Sequence, residues 1–432
     1  MDTNTPLKPL TPPSEISYKD ILKQKEYLKI ILASLINRFG DSIDAIAFTW
    51  LVYALTGSAT WSAIIFAINQ LPSVLLQPFA GALVEGMNKK KLMVYTDIIR
   101  GITTIGLVIL YLNNHLSPWM MLLFTLINSS VEAFRLPAGL AVIPSILDEK
   151  YYTYGTSLNS TLSTVVQLIG LGAAGIIIGA FGIGCAIAID GISFFGSAII
   201  LSFLNLQEDH LRKGKLQVKE YITTLKEGIW YIKNQPVIRN FCLLAFLLNA
   251  ILTPLNSLQT PLIYEVLGGG SELLSAFSFA FTVGMGIGSF VYPFLSDKLP
   301  IRIQFIGFGI LTGIEMYSYT LGERFRSHTI AIYALTVIVS LLFGMTISIM
   351  LAALSVHFIK AVKQEYLARV GSIFNAGACA ATPAASLIIS IFTAFIPVVQ
   401  IIRISALLCV IIFTVLAMMR IRLEANTSPK DI

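Results

Sequence analysis

Charge is scarce in this sequence. Only 12% of its 432 residues are Asp, Glu, Lys or Arg, against 55% hydrophobic side chains and a mean hydropathy of +0.77. A soluble fold of this length could not bury so much apolar surface, so lipid must be its solvent. Cysteine is scarce too: Cys185, Cys242, Cys379 and Cys409 stand singly in apolar stretches. That scatter excludes a disulfide framework or a thiolate metal site, and the four are read as reduced core residues. His115, His210, His328 and His357 are isolated, and there is no GxxxxGK[ST] loop or soluble domain to house one. Nucleotide hydrolysis, metal chemistry and a bound cofactor are therefore not expected, and neither is an enzyme. The first 27 residues hold Pro6, Pro9, Pro12 and Pro13 but no apolar h-region, so the first span is expected to serve as an uncleaved signal.

What is present is a series of apolar runs. Windows of about 20 residues place spans at 28–55, 60–84, 92–112, 119–146, 154–179, 184–206, 239–263, 271–296, 301–321, 328–354, 368–393 and 397–419. Lys and Arg resist translocation and so report orientation. Lys8, Lys19, Lys23, Lys25 and Lys29, the Lys89–Lys91 run and the basic segment Arg212–Arg239 fall on one side. The opposite connections at 56–59, 113–118, 180–183, 264–270 and 394–396 have neither residue, and only the one carrying Arg324 and Arg326 departs from the pattern. A multi-pass protein of the cell membrane, both termini cytoplasmic, is the expectation. The net charge of +6 then reads as a topology signal with affinity for anionic lipid heads, not as a nucleic-acid footprint.

The long polar interruption at 207–238 includes Val218, Ile222, Leu225, Ile229 and Ile232 at helical spacing, an amphipathic helix at the inner leaflet. It divides the chain into a cytoplasmic disordered tail (1–27), a six-helix bundle (28–206), a linker (207–238), a second six-helix bundle (239–419) and a tail (420–432). The halves echo each other. GALVEGMNKKK (Gly81 to Lys91) after the second span answers PFLSDKLPIRI (Pro293 to Ile303) after the eighth, setting Glu85 against Asp297. Glu149, Gly155 and Asn159 likewise answer Glu365, Gly371 and Asn375. Two similar bundles around a cavity near the midplane are the natural reading.

These segments resemble the major facilitator superfamily, whose cytoplasmic signature of a glycine, an acid four residues on and a basic run matches Gly81 to Lys91, with Glu85 for the usual Asp. RFGDSIDAIAFTWLVYALTGSATWSA (Arg38 to Ala63), FRLPAGLAVIPSI (Phe134 to Ile146), IDGISFFGSA (Ile189 to Ala198), EGIWYIKNQPVIR (Glu227 to Arg239) and ARVGSIFN (Ala368 to Asn375) resemble its macrolide-exporter branch of drug:proton antiporters, which also holds siderophore and peptide-antibiotic exporters. The fifth span reads GLGAAG (Gly170 to Gly175), without the proline of the antiporter signature. The resemblance implies an all-α fold of twelve spans in two pseudo-symmetric bundles, and a conformational latch at Gly81, Glu85, Lys89, Lys90, Asp97, Arg100 and Asp297. Positive-inside anchoring is the alternative for that group.

Ionisable groups at membrane depth are costly, so each is a functional candidate. Arg38, Asp41 and Asp44 in the first span and Glu132 and Arg135 in the fourth follow i,i+3 spacing, which keeps each set on one helix face. Carboxylates outnumber arginines, so one acid can take up a proton as a coupling step, with Arg38 and Arg135 re-pairing. The alternative is two local structural pairs, Arg38–Asp41 and Glu132–Arg135. Asp190 reads as a packing or hydrogen-bonding residue, with proton carriage as its alternative. Trp50, Phe48, Tyr53, Asn69, Gln70 and Phe134 with Asn249, Asn256, Gln259 and Phe281 are the expected cavity wall, lipid-facing aromatics being the alternative. Large apolar faces with a few amides suit a bulky amphipathic ligand. The expected function is export of a hydrophobic or amphipathic small molecule, such as a macrolide-like drug, siderophore or peptide metabolite, against inward proton flow. Uptake or flipping of a lipid-like molecule, and a non-transporting scaffold or sensor, are the competing readings. The expected partners are that molecule, protons and membrane lipids, around a monomer.

Overall fold

The computed structural model describes residues 18–76, 79–80, 83–84, 87–206, 229–296, 298–362 and 367–419. No strand occurs among them. Twelve principal helices follow in order: α1 (Lys25–Thr56), α2 (Ala59–Leu75), α3 (Lys89–Leu112), α4 (Pro118–Ile146), α5 (Tyr152–Phe181), α6 (Ile183–Ser202), α7 (Pro236–Ser257), α8 (Ser271–Ser296), α9 (Phe308–Thr320), α10 (Thr329–Ala361), α11 (Leu367–Phe392) and α12 (Val398–Met418). Among the described residues nine of these, α3 to α8 and α10 to α12, are long and apolar enough to cross a bilayer. The other three fall short for physical reasons. α1 carries Arg38, Asp41 and Asp44 along its length, α2 has 17 residues, and α9 has 13 because a π-helical turn at Ile303–Gly307 precedes it.

Local chemistry sets several boundaries. Asn88 accepts a hydrogen bond from the Lys91 N–H at 2.7 Å and caps α3. Pro118 opens α4, where its missing N–H costs nothing. Gly57 and Gly182 take positive φ values of +57° and +82°, which let the chain reverse between α1 and α2 and between α5 and α6.

The helix pairings of the first half recur six helices later. α1 packs on α5, α2 on α4 and α3 on α6; α7 packs on α11, α8 on α10 and α9 on α12. Across the divide α2 meets α11 and α5 meets α8, two contacts that exchange under the same six-helix shift. Small residues make these seams: a Cβ on Gly175 of α5 would lie 2.9 Å from the Glu272 Cα of α8. Outside the seams the surface is apolar, with Ile176, Ile192, Phe290 and Ile391 62% to 74% exposed.

Some expectations need adjustment. The tail drawn as disordered to residue 27 is part of the fold from Tyr18, where a helical turn buries Ile21 completely. The four cysteines are free, but Cys185 and Cys379 are exposed and Cys409 alone is buried. His357 lies within α10 near the rings of Phe241 and Phe305. Gly81, Glu85, Asp297 and Glu365, residues 1–17 and 420–432, and the amphipathic segment up to residue 228 lie outside the described residues.

Candidate functional site

The charged residues of the first half converge, but not as local pairs. Arg100 of α3 donates from Nη2 to Asp41 Oδ1 at 3.0 Å and lies 3.8 Å from Glu132 Oε2. Its guanidinium carbon sits 4.0 Å above the Phe194 ring of α6, a cation–π contact that holds the plane of the group. Arg135 of α4 donates from Nε to Asp97 Oδ1 at 2.9 Å. Asp97 is fully buried, and its other oxygen accepts from Ser197 Oγ at 2.6 Å and Asn37 Nδ2 at 3.3 Å.

Two expectations are corrected here. The i,i+3 pairs Arg38–Asp41 and Glu132–Arg135 do not form, because each acid meets a guanidinium from another helix. Asp97 and Arg100 do not belong to a latch at a helix end. α3 begins at Lys89, which carries both residues two to three turns inward to the packed centre of the first half. Lys89 and Lys90 do stand at the start of that helix.

Three residues keep uncommitted capacity. Arg38 is exposed to a void and makes no ion pair among the described residues. Asp44 Oδ1 and Asp190 Oδ1 are buried without a hydrogen-bond partner, and Asp190 is 3% exposed overall. Three arginines thus face five carboxylates: Asp41, Asp44, Asp97, Glu132 and Asp190.

A cavity of about 400 Å³ lies where the halves meet. Its first-half wall carries Arg38, Asp41, Asp44, Arg100 and Glu132, with Phe48 and Asn69; its second-half wall offers Asn256, Ser257, Gln259 and Thr260. Asn256 and Gln259 also line a neighbouring void of about 480 Å³ between α5 and α8, with Phe281 and Phe343. Arg38, Asp41, Arg100 and Glu132 border another, about 440 Å³, inside the first half. All charge is on one wall and neutral polar groups are on the other.

Of the expected wall residues, Phe48, Asn69, Asn256 and Gln259 line the cavity. Trp50 and Tyr53 do not: Tyr53 donates to Glu265 Oε1 at 2.7 Å, and both rings pack on Tyr264. Asn249 bonds the Ala245 carbonyl one turn back in its own helix, and Gln70 donates to its neighbour Asn69. Phe134 is half-buried on α4. Sequence reasoning missed Glu315, an acid of the second half that is 6% exposed and accepts from Thr346 Oγ1 at 2.9 Å. Its signal was available, a lone Glu in the apolar run FGILTGIEMYSYT. Among the described residues no group of three or more His, Cys, Asp or Glu is arranged to hold a metal.

Direct ties between the halves collect at the end of the bundle where α1 terminates. Among the described residues they are Tyr53–Glu265, Thr60–Thr393 at 3.0 Å, the Ser386 hydroxyl to the Ala63 carbonyl at 2.7 Å, the Gly175 N–H to Ser275 Oγ at 2.9 Å, and the Ser275 hydroxyl to the Leu171 carbonyl at 2.5 Å.

Comparison with known proteins agrees with this architecture. A family model described as Major Facilitator Superfamily matches residues 30–381. The uncharacterized MFS-type transporter YkuC of Bacillus subtilis (strain 168) is 24% identical over 302 residues, 68% of this chain, and the chain spans 64% of that protein's length. Macrolide efflux protein A of Streptococcus pyogenes is 23% identical over 338 residues, 78% of this chain and 82% of the other. The crystal structure of the nucleoside transporter NupG superposes with a TM-score of 0.73 at 13% identity, covering 91% of this chain and 99% of that one. With its repeated helix pairings, its cavity between two halves and a family match over most of its length, this chain belongs to the major facilitator superfamily, a family of membrane transporters.

Proposed function

We propose that the protein exports a hydrophobic or amphipathic small molecule by alternating access, driven by inward proton flow. The observation that carries this reading is the cavity between the halves, whose first-half wall holds two arginines and three carboxylates in reach of a ligand. Binding a proton neutralises Asp41 or Glu132 and frees Arg100 to choose another partner, while Arg38 stands ready to pair with an acid that stays ionised, and so the balance between two packings of the halves shifts. The amides and aromatic rings of the remaining wall suit an amphipathic molecule. Efflux proteins among the relatives favour the outward direction.

The basic residues put the N-terminal end of α1 in the cytoplasm. The cross-half ties around Tyr53 and Thr60 then close the outer side. Lys89 and Lys90 are the described members of the latch that would close the inner side in the opposite state.

Cells expressing the protein are expected to extrude ethidium, used as a probe, and to lose this when a protonophore collapses the gradient. Asp44→Asn and Glu132→Gln should each cut gradient-driven extrusion on the order of tenfold, equivalent to about 1.4 kcal/mol. Unchanged extrusion in both variants would refute the coupling role. Tyr53→Phe removes one outer tie without changing packing. It should shift the balance toward the outward-open state, read as faster labelling of a cysteine placed at Thr49, which lines the cavity. An unchanged labelling rate would show that this tie does not hold the outer side shut.

A further inference from the structure

Beside the central cavity lies a much smaller void of about 80 Å³, lined by α1, α2, α3, α4 and α6 of the first half. Asp44, Asp190 and Glu132 line it, with Thr104, Asn128 and Ser129. Ligand pockets run to roughly 300–1,000 Å³, so no substrate fits. A single water needs on the order of 10–15 Å³, so a short polar chain of waters does fit. The hydroxyls and amide are already tied into the wall: Asn128 donates to Thr104 Oγ1 at 3.3 Å, and Asn69 donates to Ser129 Oγ at 3.2 Å.

The two aspartates are the odd members of that lining. Asp190 Oδ1 is buried and takes no donor, and neither does Asp44 Oδ1. Asp190 is not spent on helix packing through that oxygen. The hydroxyl of Ser193, three residues on in the same helix, donates instead to the Asp190 main-chain carbonyl at 2.8 Å. The carboxyl is accommodated because residue 40 of α1 is glycine: a Cβ there would stand 2.7 Å from Asp190 Oδ1 and 2.2 Å from Ser193 Oγ. Asp44 follows Gly40 by one helical turn, which places both acids on one strip of the α1–α6 seam. The other charged groups around the void are Arg100 on α3 and Glu132 on α4, with Asp41 on α1 already held by Arg100. No second guanidinium lines the void to neutralise the aspartates.

We propose that Asp44 and Asp190 hold one shared proton through water in this void, a proton compartment of the first half that substrate does not enter. Transfer moves the proton from one carboxyl oxygen to the other along the water, and no other bond changes. Asp44 and Glu132 are the acids that border both spaces, so they are the points at which proton and substrate report to each other. Asp190 is then the proton's second seat. Its coupling role rests on the antiport reading, whereas the existence of the shared site does not.

The test uses the purified full-length chain and needs no ligand. Infrared difference spectra across a pH jump are expected to show one protonated-carboxyl carbonyl band that disappears in Asp44→Asn and equally in Asp190→Asn. A band that survives in Asp190→Asn, or two bands each removed by one substitution alone, would overturn sharing. In proteoliposomes Asp190→Asn should abolish gradient-driven ethidium accumulation yet keep downhill ethidium flux, with Asp190→Glu restoring the driven mode. Retained flux shows that the variant folds. Absent ethidium transport by the wild type would count against the export reading and leave the spectra to decide the site.

Discussion

Asp97→Ala is expected to destabilise the protein by about 3–5 kcal/mol, the cost of breaking a buried ion pair by removing one partner. The carboxylate is fully buried and takes three donors from three other helices: Arg135 Nε at 2.9 Å, Ser197 Oγ at 2.6 Å and Asn37 Nδ2 at 3.3 Å. Removing it leaves a guanidinium that is 13% exposed without a counter-charge, and two further donors without an acceptor. Thermal unfolding of the purified protein in detergent reads the loss. Asp97→Ala/Arg135→Met should recover a substantial part of it, because the stranded charge is gone. If the single variant melts with the wild type, the α1–α3–α4–α6 junction is not the keystone of the first half.

The second half should fail differently, through shape. A Cβ added at Gly284 of α8 would stand 2.0 Å from the Leu341 carbonyl oxygen of α10, and one at Gly344 would stand 2.1 Å from the Phe281 carbonyl oxygen. These are backbone atoms, so no rotamer change relieves the clash, and the two helices must part. The Ser289–Ser348 hydrogen bond of 2.6 Å on the same seam would part with them. Gly284→Val and Gly344→Val are therefore expected to give little folded protein, measured as the monodisperse peak in size-exclusion chromatography. Gly286→Ala is the control on the same helix: its added Cβ meets nothing within 4 Å, and the peak should match wild type. Equal yields from Gly284→Val and Gly286→Ala would remove the seam's claim to importance.

The two cases mark how far the sequence reaches. The sequence shows three alternate glycines in α8 without ranking them, but Gly284 and Gly288 face α10 whereas Gly286 lines a cavity. Which neighbour a helix face meets depends on rotation and stagger set by the whole bundle. The same limit applies to charge. Arg38–Asp41 and Glu132–Arg135 satisfy helical geometry, yet Asp41 pairs with a residue 59 positions away and Arg135 with one 38 away. Local spacing permits a pair; desolvation at the bundle centre selects the partner that satisfies most groups at once.

The expected wall residues divide the same way. Asn256 and Gln259 lie on the cavity because the helix breaks after Ser257, aided by Pro254 and Pro261, and turns these polar side chains inward. Tyr53 and Trp50 lie instead at the closed end, where Glu265 and Tyr264 of the other half meet them. No one-dimensional pattern relates residue 53 to residue 265.

By itself the sequence determined the solvent, the series of apolar helices, their division into two related halves and the presence of acids and arginines at membrane depth. Those follow from hydrophobicity, periodicity and the price of charge in lipid, all properties of short stretches of chain. The tertiary structure alone decided which charges are spent and which are free. Asp97, read as part of a latch, is locked in the core, while Arg38, Asp44 and Asp190 are left without partners among the described residues. The reason is that an ion pair is a three-dimensional fact: it forms where packing brings the charged atoms of different helices within about 3 Å of each other, at positions that no spacing along one helix encodes.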